Sequence, residues 1–299
     1  MDYGRELQFG CFLTPSAAER QEVVRLAQLC DELGLDLIGI QDHPYQRRFL
    51  DTWTLLAYLA GKTDRVRFFP DVANLPLRPP AMLAKAAASL DLLSGGRCEL
   101  GIGTGAFWEA IGAMGGPERS PGEAVEALEE AIQVIRKMWS GERGLRFEGE
   151  FYNLRGAHSG PTPAHPIGIW IGAYGPRMLR ATGRLGDGWI PSSSYAPPEK
   201  LPEMQAAIDE AAREAGREPA SIQRLYNLMG LIGDGASGEY LVGPVERWVD
   251  ELVRLALQVG MDSFIFGPAE SPERQLKLFA QEVAPRVRER VAESRGEGR

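Results

Sequence analysis

Residues 79–106 read PPAMLAKAAASLDLLSGGRCELGIGTGA, and this stretch decides the fold. Pro79-Pro80 presets the helical φ, so a helix opens there. Met82, Leu83, Ala86, Leu90 and Leu93 recur at helical spacing and are expected to form its buried stripe. Gly95-Gly96 ends it, because glycine readily takes the left-handed conformation that closes a helix. A short apolar strand, Cys98–Ile102, follows at once and runs into a bend containing Gly103 and Gly105. A helix that delivers a buried strand ending in a glycine bend is part of a βαβ unit, and such units build parallel sheets.

Working outward, the same rhythm covers the chain. Strands are expected at Leu7–Leu13, Leu35–Ile40, Val66–Val72, Cys98–Ile102, Ile167–Ile171, Gly188–Ile190, Arg224–Ile232 and Ser263–Phe266. A capping box, Ser16 with Glu19, starts the first helix, and Ser120 with Glu123 starts a long one. Further helices are expected over Asp51–Lys62, from Pro176, over Leu201–Ala215, from Pro244, and from Pro272 to about Val291, leaving 293–299 as a frayed tail. The alternation predicts an α/β fold, a (β/α)8 TIM barrel, as one domain over residues 1–299. Roughly 65 residues separate the fourth and fifth strands, so region 106–165 reads as an insertion beside the mouth. A hairpin is expected there over 146–152.

Gly101–Ala106 also fits G-x-G-x-x-A, which would suit a doubly wound dinucleotide fold. The match falls on the fourth strand, and no acidic residue closes a following strand, so the barrel is preferred. Net charge is −8 and no basic stripe stands out, which argues against nucleic acid or an anionic membrane as partner. No apolar run is long enough to span a membrane and the first residues do not resemble a signal peptide, so a cytoplasmic location is expected. Cys11, Cys30 and Cys98 are widely spaced and are expected to be buried and reduced. No HxH or HExxH spacing occurs, and His158 and His165 lie in the insertion, so no metal is expected.

In a barrel, chemistry sits just past the strand ends. The second strand ends in Gln41-Asp42-His43, the third in Asp71-Val72-Ala73-Asn74, the fourth in Gly103-Thr104-Gly105. His43 is a candidate general acid or base with Asp42 beside it; the alternative is a histidine that caps the turn before Pro44. Gly175-Pro176-Arg177 offers free helix N-terminal N–H groups and a cation, which suits a phosphate, although an ordinary turn with a surface arginine has the same sequence.

Four segments, Leu35–His43, Leu75–Gly105, Ala127–Gly156 and Ile169–Trp189, resemble the luciferase-like flavin-dependent oxidoreductases. MLAKAAASLDLLSGGR and WIGAYGPRMLRATGRLGDGW carry most of that resemblance, which spans nearly the whole chain. It implies a barrel that binds reduced FMN or the deazaflavin coenzyme F420, commonly as a homodimer, with a small-molecule substrate. Asp-His after the second strand is similar to the deazaflavin branch, placing Asp42 and His43 against cofactor and substrate. The resemblance also implies a non-prolyl cis peptide at Asp71-Val72 or Val72-Ala73, with Asn74 on the cofactor. Gly103, Thr104 and Gly105 would line the ring, and Tyr174, Gly175, Arg177 and Met178 would hold the phosphate.

Three departures bear on substrate. Ala106 stands where sugar-phosphate dehydrogenases of the family carry an acid, Arg47 replaces a tryptophan, and Tyr195 replaces a phosphate-binding lysine. Glucose 6-phosphate is therefore not expected. Phe107, Trp108, Ser192 and Tyr195 are expected to line a more apolar pocket, and Arg47, Arg48 and Arg78 are candidates for a polyanionic cofactor tail. The expected activity is F420-dependent hydride transfer to or from a small enone, imine, ketone or alcohol. An FMN-dependent monooxygenase and a flavin-binding protein without turnover are the alternatives.

Overall fold

The computed structural model describes residues 2–235 and 238–297. Its strands are β1 (Gln8–Leu13), β2 (Leu37–Ile40), β3 (Arg67–Pro70), β4 (Ala73–Asn74), β5 (Leu100–Gly103), β6 (Leu145–Glu148), β7 (Asn153–Ala157), β8 (Ile169–Ile171), β9 (Gly188–Trp189), β10 (Gln223–Ile232), β11 (Val242–Gly243) and β12 (Ser263–Pro268). The helices are α1 (Arg20–Glu32), α2 (Thr52–Ala60), α3 (Pro80–Ser94), α4 (Trp108–Ala113), α5 (Pro121–Trp139), α6 (Pro176–Leu185), α7 (Leu201–Glu214), α8 (Val245–Arg254), α9 (Pro272–Leu278) and α10 (Ala284–Glu297).

All barrel strands run parallel, in the order β3-β2-β1-β12-β10-β9-β8-β5-β4. β3 and β4 are two halves of one stretch, split by a cis peptide at Asp71-Val72. The first half bridges Cys98 through Phe68, and the second pairs with β5 through Ala73 and Ile102, which brings the sheet round on itself. This is the TIM-barrel fold, and a doubly wound open sheet is excluded. The expected third strand is thus interrupted at the bend that feeds the mouth. β6 and β7 form an antiparallel hairpin in the insertion.

Two apolar regions hold the barrel. Between strands and helices lies a large core, to which α3 contributes Leu83, Ala84, Ala87 and Leu90. Inside the barrel a smaller plug contains Leu37, Phe69, Trp170, Ile190, Leu225 and Ile265. Phe69 and Trp170 meet edge to face with centroids 5.0 Å apart, a favoured aromatic geometry. Burying a side chain such as Phe69 or Leu225 contributes roughly 1.5–3 kcal/mol.

Three expectations are corrected. Met82 is 63% and Leu93 86% exposed, so they leave the buried stripe of α3. Small Ala84, Ala87 and Ala88 take the inner face instead, letting the helix lie close to its neighbours. The first helix begins at Arg20, because the chain at Ser16 is extended and bridged to Phe49; the Ser16 hydroxyl still accepts from the Glu19 N–H at 3.3 Å. Ser120 and Glu123 do form their reciprocal capping box. At the other end, α10 continues through Glu297 rather than fraying at 293; Arg295 donates to Asp2 at 2.8 Å and to the Arg5 carbonyl at 2.8 Å. Residues 298–299 lie outside the described residues. All three cysteines are free thiols and buried.

Candidate active site

A cavity of about 590 Å³ opens at the C-terminal mouth of the barrel, a size typical of small-ligand sites. It brings together His43, Asp42, Asp71, Val72, Ala73, Asn74, Gly103, Thr104 and Gly105 from the ends of four strands, with Phe107, Tyr174, Ser192 and Tyr195 around the rim. Trp108, Gly175, Arg177 and Met178 are not among its lining residues. Trp108 opens α4, and Gly175 caps α6 at the edge of the mouth. Arg177 is paired with Glu126 at 2.9 Å on the surface.

The wall of the cavity is shaped by an absence of side chains. Val72, turned inward by the break between β3 and β4, sits where a Cβ on Gly103 would come within 2.8 Å and one on Gly172 within 3.1 Å. Gly101 is required for a different reason: a Cβ there would strike the Pro70 carbonyl at 2.1 Å. The glycine run that mimicked a dinucleotide motif is therefore a packing requirement of the bulge. Gly105 takes φ +97°, a conformation that favours glycine, and turns the chain toward Phe107.

Asp42 lines the cavity and is anchored within the protein. Its side chain is buried and accepts from the Asn74 N–H at 2.9 Å and from Arg78 Nε and Nη2 at 2.6 and 2.7 Å. Arg78 also donates to Asp51 at 2.7 Å. The Asp42 carboxylate thus ties the second strand end to the bulge after the third, and it makes no hydrogen bond to His43. Arg78 is held by both carboxylates.

His43 finds its partner two residues on. Its Nδ1 lies 2.6 Å from the Tyr45 hydroxyl, which faces the Ala106 carbonyl at 3.4 Å. Phe107 packs edge-on against the imidazole at 6.1 Å between centroids. Burial pushes the His43 pKa below its ordinary value, with the Asp42 charge pulling the other way. Nε2 has no hydrogen-bond partner among the described residues.

Deeper in, Asn227 of β10 donates to Asp71 Oδ1 at 3.1 Å and to Ser192 Oγ at 3.2 Å. Burial raises the Asp71 carboxyl to about 7, opposed by that Asn227 hydrogen bond. Asp71 Oδ2, Asn74 Oδ1 and Asn227 Oδ1 are buried without a partner. Unmatched acceptors of this kind are costly in a protein interior and collect at functional sites. They suit a ligand that brings N–H or O–H donors. Together with the glycine-bared wall, they fit a flat heterocyclic ring with a polar edge. Tyr45 and Asn227 escaped the sequence reading. A polar residue inside the apolar seventh strand was the available signal for Asn227; nothing local marked Tyr45.

A parallel barrel with a ring-sized, aromatic-rimmed mouth leaves the chemistry open, and the comparisons supply the class. The chain belongs to the luciferase-like monooxygenase family, whose sequence pattern matches residues 7–237. It is an oxidoreductase. One relative is the F420-dependent glucose-6-phosphate dehydrogenase of Kineococcus radiotolerans, 34% identical over 235 residues that cover 76% of this chain and 68% of the relative. Among solved structures, an F420-dependent secondary alcohol dehydrogenase with an F420–acetone adduct superposes with a TM-score of 0.83 at 18% identity, covering 95% and 99% of the two chains. A type II Baeyer–Villiger monooxygenase from Pseudomonas putida in complex with FMN gives 0.79 at 18% identity, covering 95% and 99%. These two share the fold. Among the described residues no helix is long and apolar enough to cross a membrane.

Proposed function

We propose that this protein is an F420-dependent oxidoreductase acting on a small, uncharged organic substrate such as an enone, imine, ketone or alcohol. The observation that carries the reading is His43: a half-buried imidazole lining a ring-sized cavity, Nδ1 against Tyr45 and Nε2 without a hydrogen-bond partner among the described residues. Bound F420 would supply or accept a hydride at its C5 carbon. His43 would give or take the accompanying proton at Nε2, the general acid–base work that histidine performs most often. Val72 and the glycine wall would support one face of the ring. Asp71, Asn74 and Asn227 would meet its polar edge. Tyr174, Gly175, Arg177 and Met178 would hold the phosphate at the N-terminal end of α6, where backbone N–H groups favour an anion.

Charge supports the choice of substrate. The described residues that line the cavity include Asp42 and Asp71 but no lysine or arginine. A sugar phosphate would enter without a cation to receive it, whereas a neutral carbonyl or alcohol meets Phe107, Tyr174 and Tyr195 at the rim. The competing reading, FMN-dependent oxygenation, draws support from the fold shared with the FMN-bound monooxygenase.

Titrating the purified protein with F420 and with FMN separates the two. Micromolar affinity for F420 and substrate-dependent change of its absorbance without oxygen are expected; binding of FMN alone would end the F420 reading. His43→Ala is expected to lower turnover by about 10²–10⁴-fold while sparing cofactor affinity.

A further inference from the structure

We infer that Tyr45 is a positioning residue for His43, fixing its tautomer so that Nε2 is the atom that exchanges the proton in both directions. This deepens the reading of His43 given above and rests on it.

The phenol oxygen is 2.6 Å from Nδ1, and the single hydroxyl hydrogen has two candidate acceptors, Nδ1 and the Ala106 carbonyl at 3.4 Å. The carbonyl can only accept. When His43 is protonated, both ring nitrogens carry hydrogen, so Tyr45 must accept from Nδ1–H and its own hydrogen must turn to Ala106. When His43 is neutral, the same arrangement holds if Nδ1 keeps its hydrogen and Nε2 is bare. A full cycle then moves one proton between Nε2 and the substrate, with neither the phenol nor the Nδ1–H rearranging. The opposite tautomer would require the hydroxyl to swing at every turnover.

The surroundings hold this geometry in place. Phe107, itself in the left-handed conformation at φ 59°, packs on Tyr45 at 5.9 Å and on His43 at 6.1 Å. The loop after β5 therefore clamps the loop after β2. Of the charged groups near this pair, Asp42 is the one that acts on both His43 and Tyr45, and its carboxylate is bound to Arg78. Burial raises the Tyr45 hydroxyl to about 12, so it stays a neutral hydroxyl through the working range.

The test is nitrogen-15 spectroscopy of labelled histidine in the cofactor-free protein, comparing wild type with Tyr45→Phe. The chain has three histidines, so His43 is assigned by its absence in His43→Ala. Neutral His43 is expected to carry its hydrogen on Nδ1 in wild type and to shift toward the Nε2–H form in Tyr45→Phe, with His158 and His165 unchanged. Phenylalanine keeps the ring contacts with Phe107, so folding is preserved. In turnover, Tyr45→Phe is expected to lower kcat about three- to tenfold with KM unchanged, the size of one lost hydrogen bond. An Nε2–H tautomer in wild type, or a tautomer ratio that Tyr45→Phe leaves alone, overturns the assignment. Undiminished turnover of His43→Ala would instead remove the proton-transfer reading, while the spectra still score Tyr45 on their own.

Discussion

His43 and His165 sit at opposite ends of the barrel, and their surroundings are inverted. At the base, where the chain enters β8, His165 is held between two carboxylates, Nδ1 at 2.7 Å from Asp91 and Nε2 at 3.3 Å from Glu99. Asp91 is fully buried and also accepts from the N–H groups of Cys98, Ala164 and His165. Glu99 accepts from Arg67 at 2.8 Å and from the Gly168 N–H at 2.7 Å. These partners raise the His165 pKa, the Glu99 hydrogen bond most, with burial opposing. At the mouth, His43 has a neutral phenol beside it and a lowered pKa. The carboxylates around His165 are matched, whereas at the mouth Asp71, Asn74 and Asn227 each leave an acceptor unmatched. The base is arranged for stability and the mouth for a ligand.

The sharpest way to break this comparison is at the base. Asp91→Ala removes the acceptor of three backbone N–H groups, that of Cys98 buried, and of one imidazole, and is expected to cost about 3–5 kcal/mol of unfolding free energy. Urea denaturation measures it; a loss below about 1 kcal/mol would mean that the base is not the anchor described here. The mouth should respond in the opposite sense. Because the folded Asp71 carboxyl is raised to about 7 from 3.8, ionising it destabilises the fold increasingly between those values, with the full penalty above pH 7. Asp71→Asn is therefore expected to be more stable than wild type at pH 8, by on the order of 4 kcal/mol. Equal stability at pH 8 would show that the mouth carries no such penalty.

The two histidines sharpen the contrast with smaller effects of opposite sign. The raised pKa of His165 gives stability that is complete below its unfolded value of 6.5 and is lost as pH rises through the folded pKa. The lowered pKa of His43 does the reverse: stability is complete above 6.5 and is lost as pH falls toward the folded pKa. Urea midpoints between about pH 5 and 8.5, taken in the Asp71→Asn background so that the Asp71 titration is absent, should show the slope contributed by His165 above 6.5 removed by His165→Gln and that contributed by His43 below it removed by His43→Gln.

How far the sequence could be read divides along the same line. Local signals located the barrel strands, since short apolar runs bounded by glycine or proline need no distant information. They misplaced what depends on packing. Met82 and Leu93 have the spacing of a buried stripe, yet the alanine face of α3 wins because it allows closer approach. The Ser16 box lost its helix start because residues 15–17 hydrogen-bond instead to the segment around Arg48. For the site, strand ends pointed to His43 and Asp71, which line one cavity. The partners of those residues were not legible. Asp42 to Arg78 spans 36 positions and Asp71 to Asn227 spans 156, so neither pairing leaves a local trace.

The plug beneath the mouth bears on how such a protein can change over generations. Leu37, Phe69, Trp170, Leu225 and Ile265 belong to the plug without lining the cavity, while Phe107, Tyr174 and Tyr195 line the cavity without belonging to the plug. Among the described residues, Ile190 belongs to both, and Phe12 and Val72 line the cavity while packing against the plug. Inheritance can therefore trade rim residues one at a time, altering what is recognised while the barrel beneath goes on folding as before. Variation at the three shared positions would be felt by recognition and folding together, and a descendant lineage that adopts a new substrate is expected to retain them longest.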